Sequence, residues 1–185
     1  FINTLIYNFD FQQLIPNINI RAPRTFIIGS DEFESFMERN ELYTKVLTET
    51  DYEAVKQLFL AGKLSEVLTS RLRRIIRMVD SPLAVRSSGL FEDSLNQPFA
   101  GIFETYLLPN NHADHDVRLQ QCMDAIRLVF ASVFSPVARG YIRAVNYKLE
   151  EEKMAVVLQE VAGNRYERSE EHTSELQSRI TTSYA

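Results

Sequence analysis

Arg86 stands where an apolar run, PLAV, gives way to a polar stretch, RSSGLFEDS. A guanidinium at such a boundary is held by the strand behind it and faces the loop ahead, a placement suited to bidentate bonds with phosphate oxygens. Gly101 lies between Ala100 and Ile102 as the next apolar run begins. Without a Cβ, it lets backbone amides approach an anion closely. Thr105 and Tyr106 follow. As neighbours on a strand they point to opposite faces, so one can reach a ligand while the other packs. Gln159 closes the apolar run MAVVL, and an amide in that position both donates and accepts, as a purine edge requires. Plainer roles are open to each. Arg86 can pair with Glu92 or Asp93, Gly101 can serve only a turn, and Gln159 can bond to backbone. Neither GxxxxGK[ST] nor GxGxxG occurs, so the common phosphate-loop folds receive no support.

The elements that must position these residues are legible from periodicity. Residues 2–14 have the apolar spacing of a short amphipathic helix, broken at Pro16 and Asn17. Thr25–Ile28 reads as a strand, and Ser30 as the cap of a helix with Phe33, Phe36 and Met37 on one face. Helices are expected after Asp51 as far as Gly62, over about 64–79, over about 117–133, and from Pro136 to about Asn146. Strands are expected at Pro82–Val85 and Ile102–Leu108, with Ser87, Ser88, Gly89, Glu92, Asp93, Ser94, Asn96 and Pro98 in the loop between them. Met154–Val161 is almost continuously apolar, as in a strand buried on both faces. The mixture predicts an α/β class, α+β mixed.

Composition sets limits on function. The chain has 185 residues, of which 45% are hydrophobic and 24% charged, and suits one globular domain. A net charge of −5 argues against nucleic acid or an anionic membrane as the main partner. A phosphate site must then be built from a few local cations. The single cysteine, Cys122, excludes an internal disulfide and sits on an apolar helical face, which fits a core thiol. Neither a signal-peptide pattern nor an apolar run of membrane-spanning length is evident in the sequence, so a cytoplasmic location is expected. The cluster His112, Asp114, His115, Asp116 is expected to be a polar loop with Asp114 or Asp116 capping the following helix, in preference to a metal site. Arg71, Arg73, Arg74 and Arg77 suit a solvated helix face, with domain docking as the alternative. Arg139 and Arg143 suit structural ion pairs.

AVRSS, then ED, then FAGIFETYL together resemble the nucleotide-binding core of the phosphoenolpyruvate synthase and pyruvate, phosphate dikinase family. FASVFSPVARGYI (130–142) and MAVVLQEV (154–161) continue the resemblance in order, and it covers about residues 1–166. It implies part of an ATP-grasp-like nucleotide-binding domain, in which ATP lies between two lobes. By position it makes Arg86 the phosphate-contacting arginine and Gly101 the glycine of the phosphate-covering loop. Thr105 becomes the loop threonine that contacts the nucleotide, Tyr106 the aromatic beside it, and Gln159 the glutamine near the adenine pocket. The implied cofactors are ATP and Mg²⁺. The implied partners in the intact protein are pyruvate and a swivelling phosphohistidine domain.

The departures are specific. The family's glycine-rich stretch with an ATP-contacting lysine is not found here, and Phe1 falls just after its expected place. The magnesium-binding carboxylates belong beyond the Gln159 strand. The family's QxM reads Gln159, Glu160, Val161. The stretch RSEEHTSELQS (168–178) resembles the in-frame translation of a common sequencing adapter, so residues 167–185 are expected to be an artefactual, disordered tail. His172 and Glu170, Glu171 and Glu175 then carry no function. The fragment by itself is expected to be inactive. Two alternatives stay open: a related phosphotransferase acting on a rifamycin or a glucan, and a non-catalytic nucleotide-sensing module.

Overall fold

The computed structural model describes residues 20–89, 101–144 and 152–162, with the isolated positions 4 and 6. The expected helix at 2–14, the acidic loop around Glu92 and Asp93, and the 167–185 tail lie outside the described residues. Within them the chain forms four strands and six helices. In order these are β1 (Thr25–Ile28), α1 (Ser30–Arg39), α2 (Tyr43–Thr48), α3 (Tyr52–Ala61), α4 (Glu66–Met78), β2 (Leu83–Gly89), β3 (Thr105–Leu108), α5 (His115–Ser132), α6 (Pro136–Ala144) and β4 (Met154–Glu160). The expected mixed class is borne out, and every strand pairing is antiparallel.

Local chemistry explains where the helices begin. Asp51 caps α3 by accepting from the Glu53 amide, Ser65 caps α4 by accepting from Leu68, and Asp114 caps α5 by accepting from Asp116. The NHADHD segment therefore starts a helix, as its sequence suggests. Helix α1 differs from expectation. Gly29 occupies the cap position with no side-chain bond, and Ser30 is the first helical residue. The acidic Asp31 and Glu32 still lie in the first turn, where the helix dipole favours them.

The sheet order is β1-β4-β2-β3. Because opposed residues of an antiparallel pair share a face, the register defines two rows of side chains. Ile28, Leu83, Val85, Leu108, Met154, Val156 and Leu158 lie on one face and are all buried. The helices pack there, with α5 against β2, β3 and β4 and α1 against β4. Phe33, Phe36, Phe59, Phe130 and Phe134 link α1, α3 and α5 through ring contacts at 5.2–5.7 Å. Cys122 is fully buried in this core, which pushes its thiol up to about 12.

Three strand expectations need correction. β2 continues through Ser87, Ser88 and Gly89, because all three pair with β4. β3 begins only at Thr105, with residues 102–104 forming a bend. β4 is buried on one face only: Met154, Val156 and Leu158 are buried while Ala155, Val157 and Gln159 are half-exposed. Its small and β-branched residues on the second face imitate a two-sided strand in sequence.

The stretch from α5 through α6, His115–Ala144, has the length and composition of a membrane span, yet 72% of its most apolar 18-residue window is buried inside the molecule. Its polar exceptions are structural. Arg118, buried, bonds the carbonyls of Asn110 and Ile76 and the carboxylate of Asp80 at 3.1–3.2 Å. Arg127 bonds the Gly62 carbonyl and Asp124. Arg139 bonds the carbonyls of Phe134 and Val46, a structural role met by backbone oxygens where an ion pair was expected.

One clamp ties the ends of four elements together. Glu160 accepts from the Arg24 amide and guanidinium at 2.9–3.1 Å and from Ser81 Oγ at 3.1 Å, while Arg24 Nη1 donates to the Met78 carbonyl at 2.9 Å. The Arg24 side-chain bond holds the Glu160 carboxyl below its ordinary range, against the opposing effect of partial burial. A lowered folded-state value stabilises the fold above the unfolded carboxylate range and loses that contribution as pH falls through the folded value. Arg24 is half-exposed, so solvent screens the pair. Glu160→Gln should lower stability measurably at pH 7, with the gap to wild type closing below about pH 4. Urea denaturation at both pH values checks it.

Candidate functional site

The second face of the sheet carries no packed helix among the described residues. Two rows cross it. One runs Ile27, Val157, Arg86, Thr105; the other runs Thr25, Gln159, Ala84, Leu107. Three of the five residues singled out from the sequence, Arg86, Thr105 and Gln159, thus meet on one surface. Arg86 is directly opposite Thr105 on β3 and Val157 on β4. Gln159 pairs with Ala84, one step along β2 from Arg86's neighbour Val85.

The polar groups are within reach of one another. Arg86 Nη1 donates to Gln159 Oε1 at 3.5 Å, the long limit of a hydrogen bond, and Gln159 Nε2 donates to Thr25 Oγ1 at 3.3 Å. Arg86 is exposed, so its guanidinium keeps capacity for an incoming oxyanion. At the other end of its row Ile27 is 74% exposed, and Leu107 is 44% exposed on the second row. These exposed aliphatic groups lie on the two outer strands, β1 and β3, with the cation and the amide on β2 and β4 between them. Ile27 and Arg86 are two strand spacings apart, roughly 10 Å, a separation comparable to that between the base and the phosphates of a nucleotide. Thr25 and Ile27 were not singled out in the sequence. Only their pairing with Gln159 and Val157 places them beside the others.

Gly101 and Tyr106 are placed differently. Gly101 is exposed in a turn four residues before β3, with φ +78. That backbone region suits glycine, and it turns the chain toward the start of β3. Tyr106 lies on the helix-packed face with Val85, its register partner. Its hydroxyl donates to Glu104, which also accepts from Tyr52 at 2.8 Å. The structure therefore separates Tyr106 from the face shared by Arg86, Thr105 and Gln159. Among the described residues, no group of three His, Cys, Asp or Glu side chains is placed to hold a metal ion.

A layer of helices on one face of a four-stranded antiparallel sheet, with a cation and an amide on the other face, defines a mixed α/β domain. Sequence comparison gives the particular family. The model of the pyruvate phosphate dikinase AMP/ATP-binding domain matches residues 7–173. The chain belongs to that family. The phosphoenolpyruvate synthase of Deinococcus radiodurans is 29% identical over 160 residues, covering 78% of this chain and 19% of that protein. The uncharacterized phosphotransferase YvkC of Bacillus subtilis strain 168 is 30% identical over 141 residues, covering 75% of this chain and 15% of that protein. The chain thus spans less than a fifth of the length of either curated relative.

The Gly101 turn has a direct test. A Cβ there would meet nothing within 4 Å, so any cost of substitution comes from the backbone and not from crowding. Gly101→Ala should destabilise the fold by about 1 kcal/mol, and Gly101→Asn by less, because asparagine tolerates the left-handed region. Equal midpoints for the two variants in urea would contradict the assigned conformation.

Proposed function

We propose that this domain holds ATP on the open sheet face and serves a dikinase that phosphorylates a histidine on a swivelling domain and then pyruvate. The observation that carries the ATP site is the convergence of Arg86, Thr105 and Gln159 on one exposed face, beside Ile27 and Val157. Arg86 takes phosphate oxygens through paired N–H donors. The Thr105 hydroxyl, directly across the ladder, supplies a further donor, and the Gly101 turn presents backbone amides. Gln159 meets the purine edge, with Ile27 and Val157 as its apolar floor. Tyr106 supports the site from behind the sheet.

Phosphoryl transfer of this type depends on positioning and on neutralising charge as the bond to the nucleotide breaks. A phosphorus–oxygen bond of ATP breaks as a phosphorus–nitrogen bond to histidine forms, and the shortened nucleotide leaves with the electron pair. The phosphorus–nitrogen bond then breaks as the phosphoryl group passes to the enolate oxygen of pyruvate, whose methyl proton has gone to a base, giving phosphoenolpyruvate and free histidine. Among the described residues, Arg86 is the cation best placed to hold the phosphates during the first step. Mg²⁺ would neutralise the phosphates when bound, held by carboxylates that the family resemblance puts after the Gln159 strand. The name of the Deinococcus relative supports pyruvate as acceptor. An ATP-grasp-like arrangement, with a second lobe closing over the nucleotide, is part of the same proposal, as is a cytoplasmic location.

Arg86→Ala should weaken binding of a non-hydrolysable ATP analogue by at least about tenfold, the scale of a lost charge-assisted bond. Arg86→Lys should recover part of the loss, because a point charge replaces the fork. Thermal stability should be unaffected, since the side chain is exposed. Calorimetric titration of the three proteins checks it, and unchanged affinity in Arg86→Ala removes the phosphate role.

A further inference from the structure

We infer that Tyr52 is a positioning residue for the nucleotide site, acting through Glu104 to fix the glycine turn and the start of β3. The inference rests on the ATP site proposed above but stands on its own geometry. Glu104 lies between the Gly101 turn and Thr105, the residue opposite Arg86. Its carboxylate accepts two phenol hydrogens. One comes from Tyr106, two residues on; the other comes from Tyr52 Oη at 2.8 Å, on the first turn of α3.

Tyr52 therefore ties the turn to the helical layer, since α3 packs on α5 and α5 on β2 and β3. Both tyrosines are partly buried against the core. Burial first, and then the nearby Glu104 charge, push the Tyr52 phenol above its ordinary range, so it remains a donor at all physiological pH values. The neighbouring residue is pinned independently. Phe103 is buried, and a Cβ on Gly89 would meet its ring at 2.8 Å and Glu152 Oε1 at 2.7 Å. Residues 103 and 104 are thus anchored on either side of the bend, one by close packing at the end of β2 and one by two hydrogen bonds. Thr105 enters the ladder from that fixed base. A bend held this firmly presents Gly101 and Thr105 to a ligand with little ordering cost, the general benefit of preorganisation.

The arrangement makes separable predictions for the full chain. In Tyr52→Phe the ring and its packing remain while the bond to Glu104 is lost. Amide hydrogen exchange in a peptide covering 101–105 should rise about fivefold to tenfold, with exchange in β4 unchanged. Glu104→Gln, which keeps one carbonyl acceptor, should give a smaller rise in the same peptide. Binding of the non-hydrolysable ATP analogue should weaken about threefold to tenfold in Tyr52→Phe, without the loss of affinity for analogue triphosphate over monophosphate expected of Arg86→Ala. Unchanged exchange at 101–105 overturns the tether whatever the nucleotide does. Raised exchange with unchanged nucleotide affinity overturns the positioning role while leaving Arg86 to be judged by its own variant. Unchanged affinity in Arg86→Ala with reduced affinity in Tyr52→Phe sustains the tether and its positioning role, and moves the phosphate contact away from Arg86.

Discussion

Strand register is the constraint on which the rest of this structure depends. β2 and β4 pair over seven residues, from Leu83 opposite Glu160 to Gly89 opposite Met154. Alternation along that ladder sends Val85, Val156 and Leu158 into the core and leaves Arg86, Val157 and Gln159 on the open face. A slip of one residue would reverse both sets. It would carry the Arg86 guanidinium onto the helix-packed face, at a desolvation cost of several kcal/mol, and would expose the strand's apolar side chains. The core therefore enforces the geometry of the site. The clamp of Arg24, Glu160, Ser81 and the Met78 carbonyl reinforces it at the end of the ladder, where β1, β4, α4 and the entry to β2 come together.

This dependence explains what was legible in the sequence. Helix stripes were, because the core takes one side of each helix: Phe33, Phe36 and Met37 in α1, and Leu68, Leu72 and Ile76 in α4, are buried as their spacing requires. Asp51 and Asp114 marked helix starts in the sequence, whereas Ser65, the cap of α4, fell inside the helix expected over about 64–79. Arg86, Thr105 and Gln159 announced themselves through residue type, boundary position and family resemblance. Their common face followed only from pairing, because residues 73 positions apart meet through β2 and β4. The same is true of Thr25 and Ile27, whose aliphatic and hydroxyl side chains have no local mark of function.

The misread strands have physical causes. Met154–Val161 suggested burial on both faces because Ala155 and Val157 are apolar, yet both lie half-exposed on the face without a packed helix among the described residues. Ser87 and Ser88 looked like loop residues, since hydroxyls favour turns. Pairing with Val156 and Ala155 satisfies their backbone and keeps them in the strand. Residues 102–104 looked like strand because Ile102 and Phe103 are β-formers. The left-handed Gly101 and the capture of Glu104 by two phenols bend that segment, and neither effect is encoded within the segment itself.

Charge gives the last link between composition and site. The chain carries 20 basic and 25 acidic residues, so a general attraction for phosphate is unavailable and position has to replace it. Its arginines divide accordingly. Arg118 and Arg127 are buried and spend their donors on backbone carbonyls and nearby carboxylates, while Arg139 does the same on carbonyls between α2 and α6. Those of α4 stand in solvent, where charge is screened within about 10 Å. Arg86 differs from both groups. It is exposed yet rooted in a central strand, and its long contact to the neutral Gln159 amide can be given up at small cost. In the proposed function an anion reaching it would replace a weak neutral bond with a charge-assisted one, an exchange that needs no net field.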